Sequence, residues 1–218
     1  MTEFKNPADK LSSVIWRYTR SFVDYLEALT AMEATVCNIH QGKEPETIWC
    51  LEHPPVFTAG TSSKNEHLLN NLGFPVYHTG RGGQFTYHGP GQLVVYVMLD
   101  INKRGRDIKN YINALELWVI DCLSHFNIQA EQRKGRVGLW IISKNNVEEK
   151  IAAIGVRITR WISWHGLSIN VAPDLTHFNG IVPCGIAEYG VTSLEKLGIK
   201  TTTEEVQSIM HRTCPFLV

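Results

Sequence analysis

Residues 128–172, IQAEQRKGRVGLWIISKNNVEEKIAAIGVRITRWISWHGLSINVA, decide the fold class. Three apolar, β-branched runs follow one another there, at Val137–Ile142, Ile151–Ile158 and Ile162–Val171. Each is too short for a helix and too rich in Ile and Val. No helical period separates them, so the strands read as an antiparallel meander and not as repeated strand–helix–strand units. Outward from this stretch, strand-like runs recur at Thr47–Leu51, Val76–Thr79 and Gln92–Leu99. Three helices frame them. Phe22, Tyr25, Leu26, Leu29, Met32, Val36 and Ile39 recur at helical spacing, with Gly42 as a stop, predicting a helix over 21–41. A second is expected over about Ile108–Phe126 with Asp107 as N-cap. A third begins near Thr203, where Thr202-x-x-Glu205 fits a capping box and Val206, Ile209 and Met210 face inward. The class is therefore α+β, a mixed, largely antiparallel central sheet with a few flanking helices.

Composition narrows the function classes. The chain has 218 residues, 44% hydrophobic and 19% charged, with 21 basic and 21 acidic residues. A chain this apolar and this neutral is not disordered. Nor does it carry the basic excess from which a dedicated duplex-DNA binder draws its affinity, so no nucleic-acid partner is expected. The first residues, MTEFKNPADKL, form no signal or transit pattern. The longest apolar run, Leu93–Leu99, is too short to span a bilayer, so a cytoplasmic protein without a membrane partner is expected. Five cysteines at 37, 50, 122, 184 and 214 include no CxxC pair, which points to reduced thiols. The nine histidines show neither HxxxH nor HExxH spacing, and no metal site is expected. One domain over 1–218 is read, its core at about 12–184, with a small C-terminal subdomain over about 185–218 as a variant of that division.

Four segments carry polar chemistry. Gly80–Gln92, GRGGQFTYHGPGQ, holds five glycines between strand-like runs. It is no dinucleotide fingerprint, because Phe85 stands where glycine is needed, and no P-loop, because G-K-[ST] is missing. Composition leaves two readings, a pair of tight turns or a binding loop presenting Arg81, Tyr87 and His88. In IVPCGI, Cys184 sits between Pro183 and Gly185 in turn chemistry, where a nucleophile gains exposure, although most cysteines are packing residues. In EKIAAIG, Lys150 opens a run whose small residues leave room for a ligand; a solvated lysine beside Glu148 and Glu149 is the alternative. In WHGLSIN, His165 precedes Gly166 and could serve as a base, a ligand-contacting donor or a satisfied core histidine, of which the last two are favoured. No G-x-S-x-G elbow supports a serine hydrolase.

Together the segments resemble a known family, the lipoyl(octanoyl) transferases. The likeness rests on EHPPVFTAG (52–60), RGGQFTYHGPGQL (81–93), KIAAIGVRI (150–158), HGLSINV (165–171), IVPCGI (181–186) and GVTSL (190–194), in the family's order. Ser168 stands where alanine is usual, and Val95 and Val97 where Gly and Pro often occur. The resemblance implies a fold shared with biotin and lipoate protein ligases. It implies an acyltransferase that moves an octanoyl or lipoyl group from acyl carrier protein to one lysine of a lipoyl domain, in lipoate cofactor biosynthesis. The implied acceptors are the lipoyl domains of 2-oxoacid dehydrogenase complexes and the glycine cleavage H protein. No cofactor is implied, and a monomer is expected. The family's nucleophilic cysteine maps to Cys184 and its paired lysine to Lys150. Its substrate-binding segments map to Arg81, Gly82, Gly83, Gln84, Phe85, Thr86, Tyr87 and His88, to Ala153, Ile154 and Gly155, and to Gly166, Leu167 and Ser168, with His165 in support.

The chemistry is coherent. A thioester donor and an amide product make the transfer downhill without ATP. A free cysteine of pKa about 8.5 is only a few per cent ionised at neutral pH, and a neighbouring cation such as Lys150 raises that fraction. Cys184 and Lys150 are therefore expected together, at one end of a pocket lined by Gly82, Gly83, His88 and Gly155. Two rivals remain on the sequence: an ATP-dependent lipoate or biotin ligase of the same fold, and a non-catalytic module that binds lipoyl domains or fatty acids. An acidic carrier would dock on a basic patch, either Arg133, Lys134 and Arg136 or Arg157 and Arg160.

Overall fold

The computed structural model describes residues 14–142, 146–182 and 189–217. In chain order the elements are β1 (Ile15–Tyr18), α1 (Tyr25–His40), β2 (Thr47–Leu51), β3 (Val56–Ala59), β4 (Val76–His78), β5 (Phe85–His88), β6 (Gln92–Met98), α2 (Ile108–Ser124), β7 (Glu131–Arg133), β8 (Arg136–Ile142), β9 (Glu148–Thr159), β10 (Ile162–Asn170), β11 (Gly190–Val191) and α3 (Thr203–Arg212). The main sheet runs β1-β2-β6-β10-β9-β8-β7, with β11 added alongside β9; a second sheet runs β4-β3-β5. β7 to β10 pair in succession and antiparallel, as expected from strand-like runs with no helix between them in 128–172. β1 on β2, β4 on β3 and β11 on β9 are the parallel pairs, which makes the sheets mixed and the class α+β.

The main sheet is apolar on both faces. One face, with Val95, Val97, Leu139, Leu167 and Ile169, packs on Leu115, Val119 and Cys122 of α2. Val206, Met210 and Phe216 join the same core, and the indole of Trp118 donates to the Met210 carbonyl at 2.9 Å. The other face, with Trp49, Leu51, Val94, Tyr96 and Met98, packs on Ala28, Met32, Val36 and Ile39 of α1.

Helix α1 starts at residue 25, four later than the periodicity suggests. The Asp24 carboxylate accepts from the backbone N–H groups of Leu26 and Glu27 and so fixes the first turn. Phe22 and Leu26 consequently lie off the buried stripe and stay exposed. The Asp107 cap and the Thr202–Glu205 capping box form as expected. Phe85–His88, inside the glycine-rich segment, is a strand and not a turn. Glycine clusters on both sides hide its short alternation, but Phe85 and Tyr87 bury into one cluster with Phe57 and Phe178.

One irregularity positions a side chain. Between β8 and β9 the register shifts: Leu139 faces Ala152 but Trp140 faces Lys150, so Ile151 is an extra residue on β9. Ile151 and Ala152 both enter the α2 core, and alternation resumes with the opposite phase. Lys150 is thereby placed with Ala153 and Gly155 on the other face. On the far side of β9, β10 ends its pairing at Ala152, and β11 takes over at Lys150.

Candidate functional site

A cavity of about 330 Å³ opens on that face. Its floor is the sheet: Val94 and Tyr96 from β6, Ser168 and Gly166 from β10, Ala153 and Gly155 from β9. The register sets Ser168 between Val94 and Ala153, and Gly166 between Tyr96 and Gly155. Two glycines side by side remove the Cβ atoms that would otherwise fill the floor. Its roof is the turn 81–84 with β5. The Gly82 N–H donates to the Val156 carbonyl at 2.9 Å, which ties the roof to β9.

The predicted residues divide between wall and support. Arg81, Gly83, Gln84, Phe85, Thr86, His88, Ala153, Ile154, Gly155, His165, Gly166, Leu167, Ser168 and Lys150 all border the cavity. Gly82 and Tyr87 do not. Gly82 is the roof anchor just described. Tyr87 is buried among Phe57, Phe74 and Phe178, with its hydroxyl 2.8 Å from His177 Nδ1. Arg81 is buried, and its guanidinium donates to the Thr58 carbonyl and hydroxyl, both at 2.7 Å, and to the carbonyls of Gln84 and Gly82. It holds the second sheet and the roof turn together. Sequence reasoning missed Tyr25, Tyr96 and Asn170, which also border the cavity and looked like plain helix and strand residues. His53, buried against Tyr96, lies in the quoted EHPP segment and was not singled out.

Lys150 sits at the cavity edge and is only 7% exposed. Its Nζ donates to the Val137 carbonyl at 2.9 Å and lies 4.8 Å from the centroid of the Trp140 ring. Arg136 lies over the same ring and over Tyr189, so a second cation borders this edge. Cys184 and its neighbours 183–188 lie outside the described residues. Nearby in the chain, Phe178 before that segment and Val191 after it border the cavity. The other four cysteines are free thiols. Burial pushes the thiols of Cys122 and Cys214 up to about 12 and about 11 and raises that of Cys50 well above the usual thiol range, so none of these three is a ready nucleophile.

Opposite the lysine, three histidines gather by the tyrosines. His53 Nδ1 donates to the Val23 carbonyl, so its Nε2 accepts from the Tyr96 hydroxyl, each at 2.6 Å. His88 Nδ1 donates to Gln92 Oε1 at 2.6 Å, an orientation fixed because the Gln92 amide group donates to Asn170 Oδ1. His165 has a left-handed backbone, φ 58°, stacks on Trp164, and its buried Nε2 has no hydrogen-bond partner among the described residues. Burial lowers all three, His53 to about 4 and His88 and His165 to about 3. They are neutral at pH 7, and two of them, His88 and His165, line the cavity.

This cluster makes folding pH-dependent. Between the unfolded pKa of about 6.5 and the lowered folded values, the unfolded chain binds more protons than the folded one. Stability from these residues is therefore full above about pH 6.5 and lost as pH falls toward 4. Thermal melts at constant ionic strength are expected to show Tm dropping already between pH 6.5 and 5, before most carboxylates titrate. A flat Tm across that interval would contradict burial of three neutral imidazoles.

The site and its fold define the class. The sequence profile of the family described as lipoyl protein ligase A/B catalytic domain matches residues 24–214, and the chain belongs to that family. Within it the chain is an acyltransferase of the octanoyltransferase group. It is 52% identical to an octanoyltransferase of Cereibacter sphaeroides over 213 residues, 94% of this chain and 98% of the relative. To an octanoyltransferase of Paramagnetospirillum magneticum it is 52% identical over 202 residues, 93% of this chain and 95% of the relative. Among solved structures, the bipartite lipoate protein ligase of Thermoplasma acidophilum, studied with its E2 lipoyl domain, superposes with a TM-score of 0.66. That match has 14% identity and covers 92% of this chain and 82% of the other. A lipoate-protein ligase A bound with ATP gives 0.64 at 16% identity, over 93% and 83%. At such identities these structures speak to the fold alone.

Proposed function

We propose that the protein transfers an octanoyl group from acyl carrier protein to a lipoyl-domain lysine through a thioester on Cys184. The observation that carries this reading is Lys150, a buried ammonium placed by the β9 bulge at the edge of a mainly apolar cavity. In the first step the Cys184 thiolate attacks the octanoyl thioester carbonyl. A new carbon–sulfur bond forms, the carrier's thiolate leaves, and Lys150 gives it a proton. In the second step the acceptor lysine's amine attacks the Cys184 thioester. The amide bond forms, the Cys184 thiolate departs, and the now neutral Lys150 takes the amine's proton. The cavity floor at Gly155, Gly166 and Ala153 holds the acyl chain, and His88 and His165 close the end away from Lys150. The octanoyltransferase relatives support octanoyl as the group moved, and lipoyl-domain acceptors fit the family.

The test is intact mass after mixing with octanoyl-acyl carrier protein in the absence of ATP. The expected result is one octanoyl adduct, mapped to Cys184, which disappears when a lipoyl domain is added. Transfer that requires ATP, or occurs with no adduct at Cys184, would overturn the reading.

Docking of the acidic carrier falls to Arg157 and Arg160. Neither makes an ion pair among the described residues, and Arg157 lies over the Trp164 ring at 4.4 Å. Arg133 and Arg136 are instead paired with Glu148, and Arg133 also with Glu131, which neutralises most of the other patch. Raising salt from 50 to 300 mM is expected to increase KM for the carrier severalfold with little change in kcat. In an Arg157→Gln/Arg160→Gln variant that salt dependence should flatten. A KM independent of salt would remove the electrostatic argument.

A further inference from the structure

We propose that Glu116, on α2, is a positioning residue for Lys150 and acts through the peptide group that joins Val137 to Gly138. The inference rests on the reading of Lys150 given above. That peptide group is held at both ends. Its carbonyl accepts from Lys150 Nζ at 2.9 Å, and its N–H donates to Glu116 Oε1 at 3.1 Å. A carboxylate on one side and an ammonium on the other polarise the same amide in the same sense, so each contact strengthens the other. Glu116 is itself oriented, because Gln132 Nε2 donates to its second oxygen at 2.7 Å and to Asn113 Oδ1 at 2.9 Å.

The backbone at Gly138 exists to allow this. Its φ of 111° turns the 137–138 peptide plane so that the carbonyl faces Lys150 and the N–H faces α2, a conformation closed to residues with a side chain. A Cβ at 138 would stand 2.7 Å from the Ala152 carbonyl oxygen and 3.0 Å from both Cε and Nζ of Lys150. The β9 bulge selects the face Lys150 occupies. The Glu116–peptide link fixes where on that face the ammonium lies.

Steady-state kinetics on the full chain, with octanoyl-acyl carrier protein and a lipoyl domain, test the proposal. Glu116→Ala is expected to lower kcat about tenfold, the scale of one charge-assisted hydrogen bond, with KM for either substrate changed less than about twofold. Glu116→Gln keeps an oxygen for the Gly138 N–H and should recover most of the lost kcat. Gly138→Ala should lose more than Glu116→Ala, since it displaces the peptide and crowds the lysine. A wild-type kcat in Glu116→Ala, a loss that appears in KM, or Gln and Ala variants equally low with an equally lowered Tm would each overturn the proposal. The reading of Lys150 stands or falls separately: a Lys150→Ala variant with wild-type kcat would refute it. A Lys150→Ala loss alongside an unaffected Glu116→Ala would refute the positioning role alone.

Discussion

Cys184→Ser is expected to abolish measurable transfer, a loss of roughly four orders of magnitude, while Tm and non-covalent binding of octanoate stay near wild type. A serine hydroxyl is a far weaker nucleophile unless a strong base takes its proton. The two imidazoles that border the cavity, His88 and His165, lie at the end away from Lys150. The cavity floor is built from β6, β9 and β10, which the substitution leaves alone. Three of the remaining cysteines, buried Cys50 and Cys122 and half-buried Cys214, have thiols that desolvation holds protonated. Cys37 is exposed, on the surface of α1. The measurement is rapid-quench mass spectrometry with octanoyl-acyl carrier protein. Residual turnover above about one per cent, or an octanoyl adduct still forming at another residue, would show that the nucleophile lies elsewhere.

Lys150→Ala is expected to fail in a different way. On the proposed mechanism, removing the ammonium leaves Cys184 to ionise as an ordinary thiol, a few per cent at neutral pH, and also removes the group assigned to carry the proton between the two half-reactions. A combined loss of about 10²–10³-fold at pH 7 follows from those two effects. The sign with pH is definite. Alkaline solution supplies both the thiolate and the free acceptor amine, so activity should climb from pH 7 toward 9. Single-turnover acylation and transfer, followed separately across that range, check this. A loss of equal size at every pH would mean that Lys150 does more than tune ionisation. Lys150→Arg keeps a charge but gives up protons poorly, and it should slow transfer to the lipoyl domain more than acylation. The slot around the lysine is narrow, since a Cβ at Gly138 would meet its Cε at 3.0 Å, so the guanidinium is expected to project into the cavity.

How much of this was legible in the sequence depends on the scale at which the determinants act. The meander in 128–172 was legible because short, Ile- and Val-rich runs with no helical period between them are a local signal. The caps at Asp107 and Thr202 were legible for the same reason. The four residues of β5 were not, because their pairing with β3 is set some thirty positions away and glycines mask the pattern. The cavity-lining segments were found through the motifs that carry the family likeness, but the motifs did not say which members face inward. Gly82 and Tyr87 stand among residues that do, yet one is pinned to β9 and the other sits in the second core. Tyr25 and Tyr96 had no mark at all, since an aromatic residue on a helix stripe or in a buried strand looks the same whether it faces a core or a cavity. Glu116 was invisible for a related reason. Its partner is a backbone amide, which leaves no trace in residue type.

The extra residue at Ile151 has a bearing on how the chain finds its pairing. Were β8 and β9 to zip together without it, the residues N-terminal to Ala152 would exchange faces. Lys150 would then point into the space that Leu139, Val119 and Cys122 now fill. An ammonium stripped of water there, with no anion to meet it, costs several kcal/mol, a large fraction of what holds a domain together. The misaligned hairpin is thus penalised by the same side chain that the correct one delivers to the cavity. A lysine at this position acts as a proofreading device for strand alignment. An apolar replacement would lift that penalty and let the shifted pairing compete.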